Sequence, residues 1–253
     1  MSVPSRRESA ALLLSLEPPA WHLRHSRAVA ETAGWLALQA VRAGRSVDRR
    51  LVESAALLHD IDKLPMVKSQ VGDAAHADGS AEWLARHGYP ELGPAIAGHP
   101  VTRLADATWF ERWLATASSE ALLVSYADKR AGQRLETMAN RFASWERRYP
   151  PAERVTRARG QWTAETLAAV HRRAEVVERR ACELAGVAPA DVRRLAWTGP
   201  VLADARAAAD ARAAVDAARP AAGRPANGAA AIAPPTAITL PPPSPPPPLP
   251  RSR

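Results

Sequence analysis

The sequence predicts an all-α protein, and three observations carry that prediction. No segment alternates apolar and polar residues at the strand period. Ala, Leu, Arg and Glu dominate, with 56 alanines among 253 residues, and these residue types favour helix. Several segments repeat their apolar residues at helical spacing.

In chain order, a helix is expected over about Pro19–Ala43, stopping at Gly44. The next begins at Asp48, a good N-cap, and runs through Leu51, Val52, Ala55 and Leu58 to His59. Ile61–Ala75 contains Pro65 and Gly72 and reads as a loop. Helices follow at about Gly79–His87 and Glu91–Gly98, with a connection through His99-Pro100 to a short helix at Trp109–Leu114. Ser118 or Ser119 caps a helix to about Gly132. Another covers Arg134–Arg147 and breaks at Tyr149-Pro150-Pro151. Residues 152–186 predict a long helix kinked at Gly160, with Arg172, Arg173, Glu175, Glu178, Arg179 and Arg180 on a solvated face. Asp191–Ala196 predicts one or two further turns, and 202–218 an Ala-rich helix with little to bury.

These breaks divide the chain into residues 1–150, an Arg- and Ala-rich helical extension at 151–218, and a tail at 219–253. The tail holds 12 of the 23 prolines, four arginines and no acid. Such a stretch buries too little apolar surface to offset its chain entropy, so it reads as disordered and partly polyproline II. A protein partner of this tail is one role open to it.

Net charge is +8, but only +4 without the tail, and the 31 arginines against three lysines read as a codon-usage bias. No stripe of arginines interleaved with aromatics is present, so a nucleic-acid partner is not indicated. The single cysteine, Cys182, excludes an internal disulfide framework and a cysteine-based zinc site. It fits a reducing, cytoplasmic setting and reads as a packed thiol. No run of about 18 apolar residues marks a membrane span. Glu8 and Glu17 interrupt the apolar N-terminal stretch, so no signal peptide is expected.

The chemistry is concentrated in histidines and aspartates. Of seven histidines, His59 is followed directly by Asp60 at the end of an apolar helix. Neutral imidazole binds divalent metals, and aspartate adds charge or a bridge between two ions. His87 beside Gly88 and His171 in the Arg-rich helix read as structural.

The run His59-Asp60-Ile61-Asp62-Lys63, after Ala55-Ala56-Leu57-Leu58, resembles the signature of the HD superfamily of metal-dependent phosphohydrolases, in particular its HDIG-type subgroup. Four further segments match in order: His25-Ser26-Arg27-Ala28, His76-Ala77-Asp78-Gly79-Ser80-Ala81, Ala95-Ile96-Ala97-Gly98-His99-Pro100, and Ser125-Tyr126-Ala127-Asp128-Lys129-Arg130. The resemblance covers about residues 20–150. It implies an HD-domain helical bundle in which His25, His59, Asp60 and Asp128 hold one metal. Asp60 would bridge to a second ion held by His76 and His99. The cofactor implied is one or two divalent transition-metal ions (Fe, Mn, Co, Ni or Zn, with Mg also allowed).

The activity implied is hydrolysis of a small phosphorylated substrate, such as a nucleotide, with Asp60 and Lys63 at the reacting centre and Lys63, Arg103 and Arg130 as phosphate-binding candidates. Pairing with Asp62 is the other reading of Lys63. Helical relatives with the same ligand order act as di-iron oxygenases, and a nucleotide-sensing regulatory module is a third reading. Asp62 departs from the subgroup, which has glycine there. It tolerates an unusual backbone angle better than most residues and reads as a capping carboxylate, with a ligand role open.

Overall fold

A computed structural model describes residues 3–148 and 163–218. Among these residues the regular structure is helical, apart from one isolated bridge between Ala131 and Leu135. No helix in them is long and apolar enough to cross a membrane. The proline-rich segment 219–253, the Tyr149-Pro150-Pro151 break and the Gly160 kink lie outside the described residues.

The first helix, α1 (Arg6–Ser15), was not expected. It starts on a capping box: the Glu8 N–H donates to Ser5 Oγ (3.2 Å) and the Ser5 N–H to Glu8 Oε2 (2.7 Å). α2 (Ala20–Arg42) is the central helix. Its Ala28, Ala30, Ala33, Ala37 and Ala40 are fully buried, and small side chains let its neighbours approach closely. α3 (Arg49–Leu58) packs on it, started by Asp48, whose side chain accepts from the Leu51 N–H. Leu57 and Leu58 of α3 are fully buried, each stabilising the core by about 1.5–3 kcal/mol.

The expected loop after His59 is instead a 3-10 turn (Ile61–Lys63) and a short helix, α4 (Pro65–Val71). Pro65 occupies the first helical position, where its missing N–H costs nothing and its fixed φ suits a helix start. α5 (Asp78–Arg86), α6 (Leu92–Ile96), a 3-10 segment (Val101–Ala105) and α7 (Ala107–Thr116, capped by Asp106) follow. α8 (Ser119–Arg130) is capped by Ser118 and packs against α2, α3 and α6.

α9 (Met138–Arg148) begins four residues later than expected. The chain first folds back on the end of α8, with Glu136 N–H donating to the Arg130 carbonyl (2.7 Å) and Gly132 N–H to that of Arg134 (3.1 Å). α10 (Ala164–Ala185) packs on α8 and α2. Its charges are not all solvated: Glu178 accepts from the Tyr126 hydroxyl (2.7 Å), and Arg173 donates to the Leu104 carbonyl (2.5 Å).

The further turns expected at Asp191–Ala196 reduce to a 3-10 turn at Pro189–Asp191. Beyond it, the Leu195 N–H donates to the Glu31 carbonyl of α2 (3.0 Å), so a tertiary bond takes the donor that a helix would use. α11 (Thr198–Ala218) then packs along α1. Val170, Ala174 and Val177 of α10 and Leu202 of α11 join the same buried cluster as α2, α3 and α8.

Candidate metal centre

The six residues His25, His59, Asp60, His76, His99 and Asp128 come together at one place, carried by five parts of the chain. His25 lies on α2 and Asp128 on α8, while His59 and Asp60 follow α3. His76 lies in the loop before α5, and His99 follows α6. His59, Asp60 and His99 are buried, and His25 nearly so. Three overlapping sets of ligand atoms lie within 4.8 Å of one another: His25, His59 and Asp128; His59, Asp60 and His99; Asp60, Asp62 and His76.

The imidazoles are oriented from behind. His25 Nδ1 lies 2.7 Å from the Gly132 carbonyl, His59 Nδ1 2.8 Å from that of Ala56, and His99 Nδ1 2.8 Å from that of Ile96. A carbonyl only accepts, so each Nδ1 carries the proton. His76 Nδ1 likewise donates to Asp62 Oδ2 (2.9 Å). All four Nε2 atoms therefore face inward. They meet in pairs, His25 with His59 at 3.2 Å and His76 with His99 at 3.0 Å. Wherever both rings of a pair are neutral in this tautomer, lone pair faces lone pair.

Asp60 sits between the pairs. Its Oδ2 accepts from Lys63 Nζ (2.7 Å) and lies 3.3 Å from His25 Nε2. Its Oδ1 is buried and has no hydrogen-bond donor. That oxygen lies 3.3 Å from Nε2 of both His76 and His99, and 3.5 Å from His59 Nε2. Asp128 Oδ1 completes the other side, 3.3 Å from His25 Nε2 and 3.7 Å from His59 Nε2. A buried anionic oxygen without a donor, surrounded by nitrogen lone pairs, is a costly arrangement for protein alone. It is the arrangement that a divalent cation satisfies, so the residues present fit a metal.

The electrostatics agree. Burial works against the His25 imidazolium, but hydrogen bonds and charge from Asp128 and Asp60 outweigh it and raise His25 to about 9. Burial works against Asp60 as an anion too, yet its electrostatic interaction with His59 and Lys63 and its hydrogen bonds with His25 and His99 keep its carboxyl well below the usual carboxylate range. His99 is pushed down to about 3, first by burial, so it stays a neutral donor. The centre thus holds two carboxylates ionised and attracts positive charge.

The peptide that carries His99 is clamped by α8. Ser125 Oγ donates to the Gly98 carbonyl (2.8 Å), and Lys129 Nζ donates to the His99 carbonyl (3.1 Å) and to Ser125. Burial pushes the Lys129 ammonium down to about 8. From the other side, the Trp113 indole lies so close to Gly98 that a Cβ there would overlap the ring. Gly98→Ala is expected to destabilise the fold by about 1–3 kcal/mol and to weaken cation binding by displacing His99. Thermal unfolding and cation titration of the variant check this, and wild-type values in both would contradict it.

The remaining sequence candidates separate clearly. Lys63 is partly exposed beside the cluster and pairs with Asp60, not with Asp62. Arg103 donates to Asp78 Oδ1 (2.6 Å) and lies over the Trp109 ring (5.1 Å), tying the loop after His99 to the helix after His76. Arg130 requires a correction. Two residues beyond Asp128, it leaves α8 on another face. Its guanidinium donates to the Glu136 and Pro189 carbonyls (2.7 and 3.0 Å) and to the Tyr126 hydroxyl (2.5 Å). It is buried and held by these partners.

Two residues have roles at the centre that the sequence did not assign to them. His22, one turn before His25, donates from Nε2 to the Asp60 carbonyl (3.1 Å) and so holds the backbone that aims the Asp60 carboxylate. Asp62 is the partner of His76 described above. A histidine at the i−3 position gives the only sequence signal for the first, and the second depends on a residue 14 positions away. His87 stacks on Trp83 (3.6 Å between ring centroids) and His171 pairs with Glu146, both away from the centre.

Residues 23–132 match the family model described as HD domain. No curated protein and no solved structure matches the chain.

Proposed function

Residues 23–132 form an HD domain, and from that premise we propose that the chain is a metal-dependent phosphohydrolase with a two-cation centre, acting on a nucleotide or another small phosphoester. The observation that carries this reading is the donor-free Asp60 Oδ1 between the two histidine pairs. His25, His59, Asp60 and Asp128 would hold one cation, and Asp60, His76 and His99 the other. Bound there, such ions neutralise phosphate charge and lower the pKa of a coordinated water toward neutrality.

The chain's own residues do the rest. The four backbone- and carboxylate-held imidazoles fix the donor atoms before anything binds, so little reorganisation is needed. Lys63 Nζ, anchored on Asp60 Oδ2 at 2.7 Å and partly open to solvent, is placed to bind a phosphate oxygen. Buried His99 and Ile96 exclude water from the inner side of the centre.

The test is elemental analysis of the purified chain joined to a screen of phosphoesters for phosphate release, before and after chelation. One to two transition-metal ions per chain are expected, with hydrolysis lost on chelation and restored by adding metal back. Affinity should fall as the pH drops below 9, because a proton held on His25 competes with the cation. Failure to bind metal, with no metal-dependent hydrolysis, would overturn the reading. Oxygen uptake by the iron-loaded chain without phosphate release would assign the same ligands to oxygenase chemistry instead.

A further inference from the structure

Asp62 stands where a glycine is expected, and its surroundings give it a task. We propose that Asp62 is a positioning residue that builds the second cation-binding half of the centre, by orienting His76 and holding the turn that carries it. The proposal rests on the metal-centre reading above and goes beyond it to a residue that the resemblance does not supply.

The four imidazoles differ in what holds them. His59 and His99 each follow a helix, and each donates Nδ1–H to the carbonyl three residues back. His25 sits within α2 and uses the Gly132 carbonyl. His76 lies in the loop between α4 and α5, with no helix before it to supply such a carbonyl. It is also the most exposed of the four, with 33% of its side chain accessible. Left alone, a loop histidine of this kind would sample several rotamers.

Asp62 supplies what the loop lacks. Its Oδ2 accepts from His76 Nδ1 (2.9 Å) and also from the Ala77 N–H (2.9 Å). Ala77 has φ +75°, a left-handed conformation that costs a non-glycine residue about 1–2 kcal/mol. The carboxylate pins the peptide that enters this conformation. The Asp62 N–H in turn donates to Ser80 Oγ on α5 (3.1 Å). Residue 62 is therefore tied to the His76 turn through both its side chain and its backbone. Gly79 leaves room for this: a Cβ there would sit 3.1 Å from the Asp62 Cβ. With both carboxylate oxygens near Nδ1 (3.2 and 2.9 Å), His76 Nε2 is left aimed at Asp60 Oδ1. A carboxylate behind an imidazole also makes it a stronger ligand than a carbonyl does.

The test uses Asp62→Gly, the residue the subgroup carries, and Asp62→Asn, which keeps an acceptor of the same shape. The first readout is made on metal-free protein: histidine side-chain nitrogen NMR at pH 8 reports which ring nitrogen of His76 is protonated. Wild type and Asp62→Asn should show a fixed Nδ1–H form, and Asp62→Gly a tautomer mixture. The second readout is calorimetric titration with Mn²⁺. Asp62→Gly should weaken one of two binding events by roughly 10–100-fold and leave the other unchanged, matching the event that His76→Ala removes. Asp62→Asn should lie between. An unchanged His76 tautomer with unchanged Mn²⁺ binding in Asp62→Gly would overturn the proposal. So would loss of a whole ion in Asp62→Asn with the tautomer intact, which would make Asp62 a direct ligand. Failure of the wild type to bind Mn²⁺ would count against the metal-centre reading itself, and the tautomer readout would still decide the role of Asp62.

Discussion

Asp60→Asn is expected to abolish tight cation binding and to lower phosphoester hydrolysis by roughly 10³-fold or more, equivalent to about 4 kcal/mol. The substitution keeps the shape of the side chain and removes its charge, so the fold need not change. Asp60 is the residue for this test because both halves of the centre use it. Its Oδ1 faces His76 and His99, and its Oδ2 faces His25 and Lys63. Asn places a neutral amide among four inward-facing nitrogens, and an NH₂ group there donates where a cation should be held. The change also frees Lys63 from its anchor and removes one of the two carboxylates that keep His25 charged. Metal content, hydrolysis and circular dichroism of the variant check the expectation together. A folded variant that retains both ions and wild-type turnover would contradict it.

The second large effect is structural. Glu31→Ala is expected to destabilise the protein by about 2–4 kcal/mol, below the full loss for a buried pair because the Arg194 side chain is one-third exposed. At about 2–4 °C per kcal/mol for a chain of this size, the fall in Tm is easily measured. Glu31 is buried in the middle of α2. Its Oε2 accepts from Arg194 Nε (2.9 Å) and Nη2 (2.5 Å), its Oε1 accepts from the Thr198 hydroxyl, and its carbonyl accepts from the Leu195 N–H. Trp197 Nε1 reaches the Ala30 carbonyl beside it (3.4 Å). The Glu31 carboxylate thus fastens both ends of the 194–198 stretch, and with it the start of α11. Removing it strands a guanidinium and a hydroxyl with no replacement acceptor. Cation binding well below the new Tm should be unchanged, because Glu31 faces Arg194 and Thr198 and touches no ligand. Stability within 0.5 kcal/mol of wild type would show that water replaces Glu31 at no cost.

Much of the helical framework is legible in residues that act locally. Asp48 and Ser118 accept their own helices' N–H groups as a capping side chain should, and His59 ends its helix as read. The six candidate ligands are legible because their order along the chain carries them, and the structure brings all six together. What was missed has physical causes. Ser5 and Glu8 formed a readable capping box, but the stretch was weighed only as a targeting segment, which Glu8 and Glu17 argue against, and not as a helix. Pro65 was taken as a breaker, although a first-position proline starts a helix as well as it stops one. Residues 191–196 have helical composition, but Glu31 offers their backbone a better acceptor from 160 residues away. Arg130 is close in sequence to Asp128 and distant in direction, because two steps along α8 turn the side chain by roughly 200°. No spacing rule reveals that Asp62 and His76 meet, since a 14-residue connection with its own short helix lies between them.

α8 has two working faces, and this bears on how small the protein can be made. One face carries Asp128 to the cluster. The other carries Tyr126 and Arg130, whose polar atoms are matched by Glu178 of α10 and the Pro189 carbonyl. The N-terminal helix is fastened similarly, by Arg6 to Glu53 on α3 (2.7 and 2.5 Å). An excised fragment limited to residues 23–132 would keep every proposed ligand. It would also strip Arg130 and the Tyr126 hydroxyl of Glu136, Pro189 and Glu178, and leave the Glu53 carboxylate only Arg49. The smallest autonomous unit is therefore larger than the set of proposed ligands. Its flanking helices are structural walls of the candidate centre.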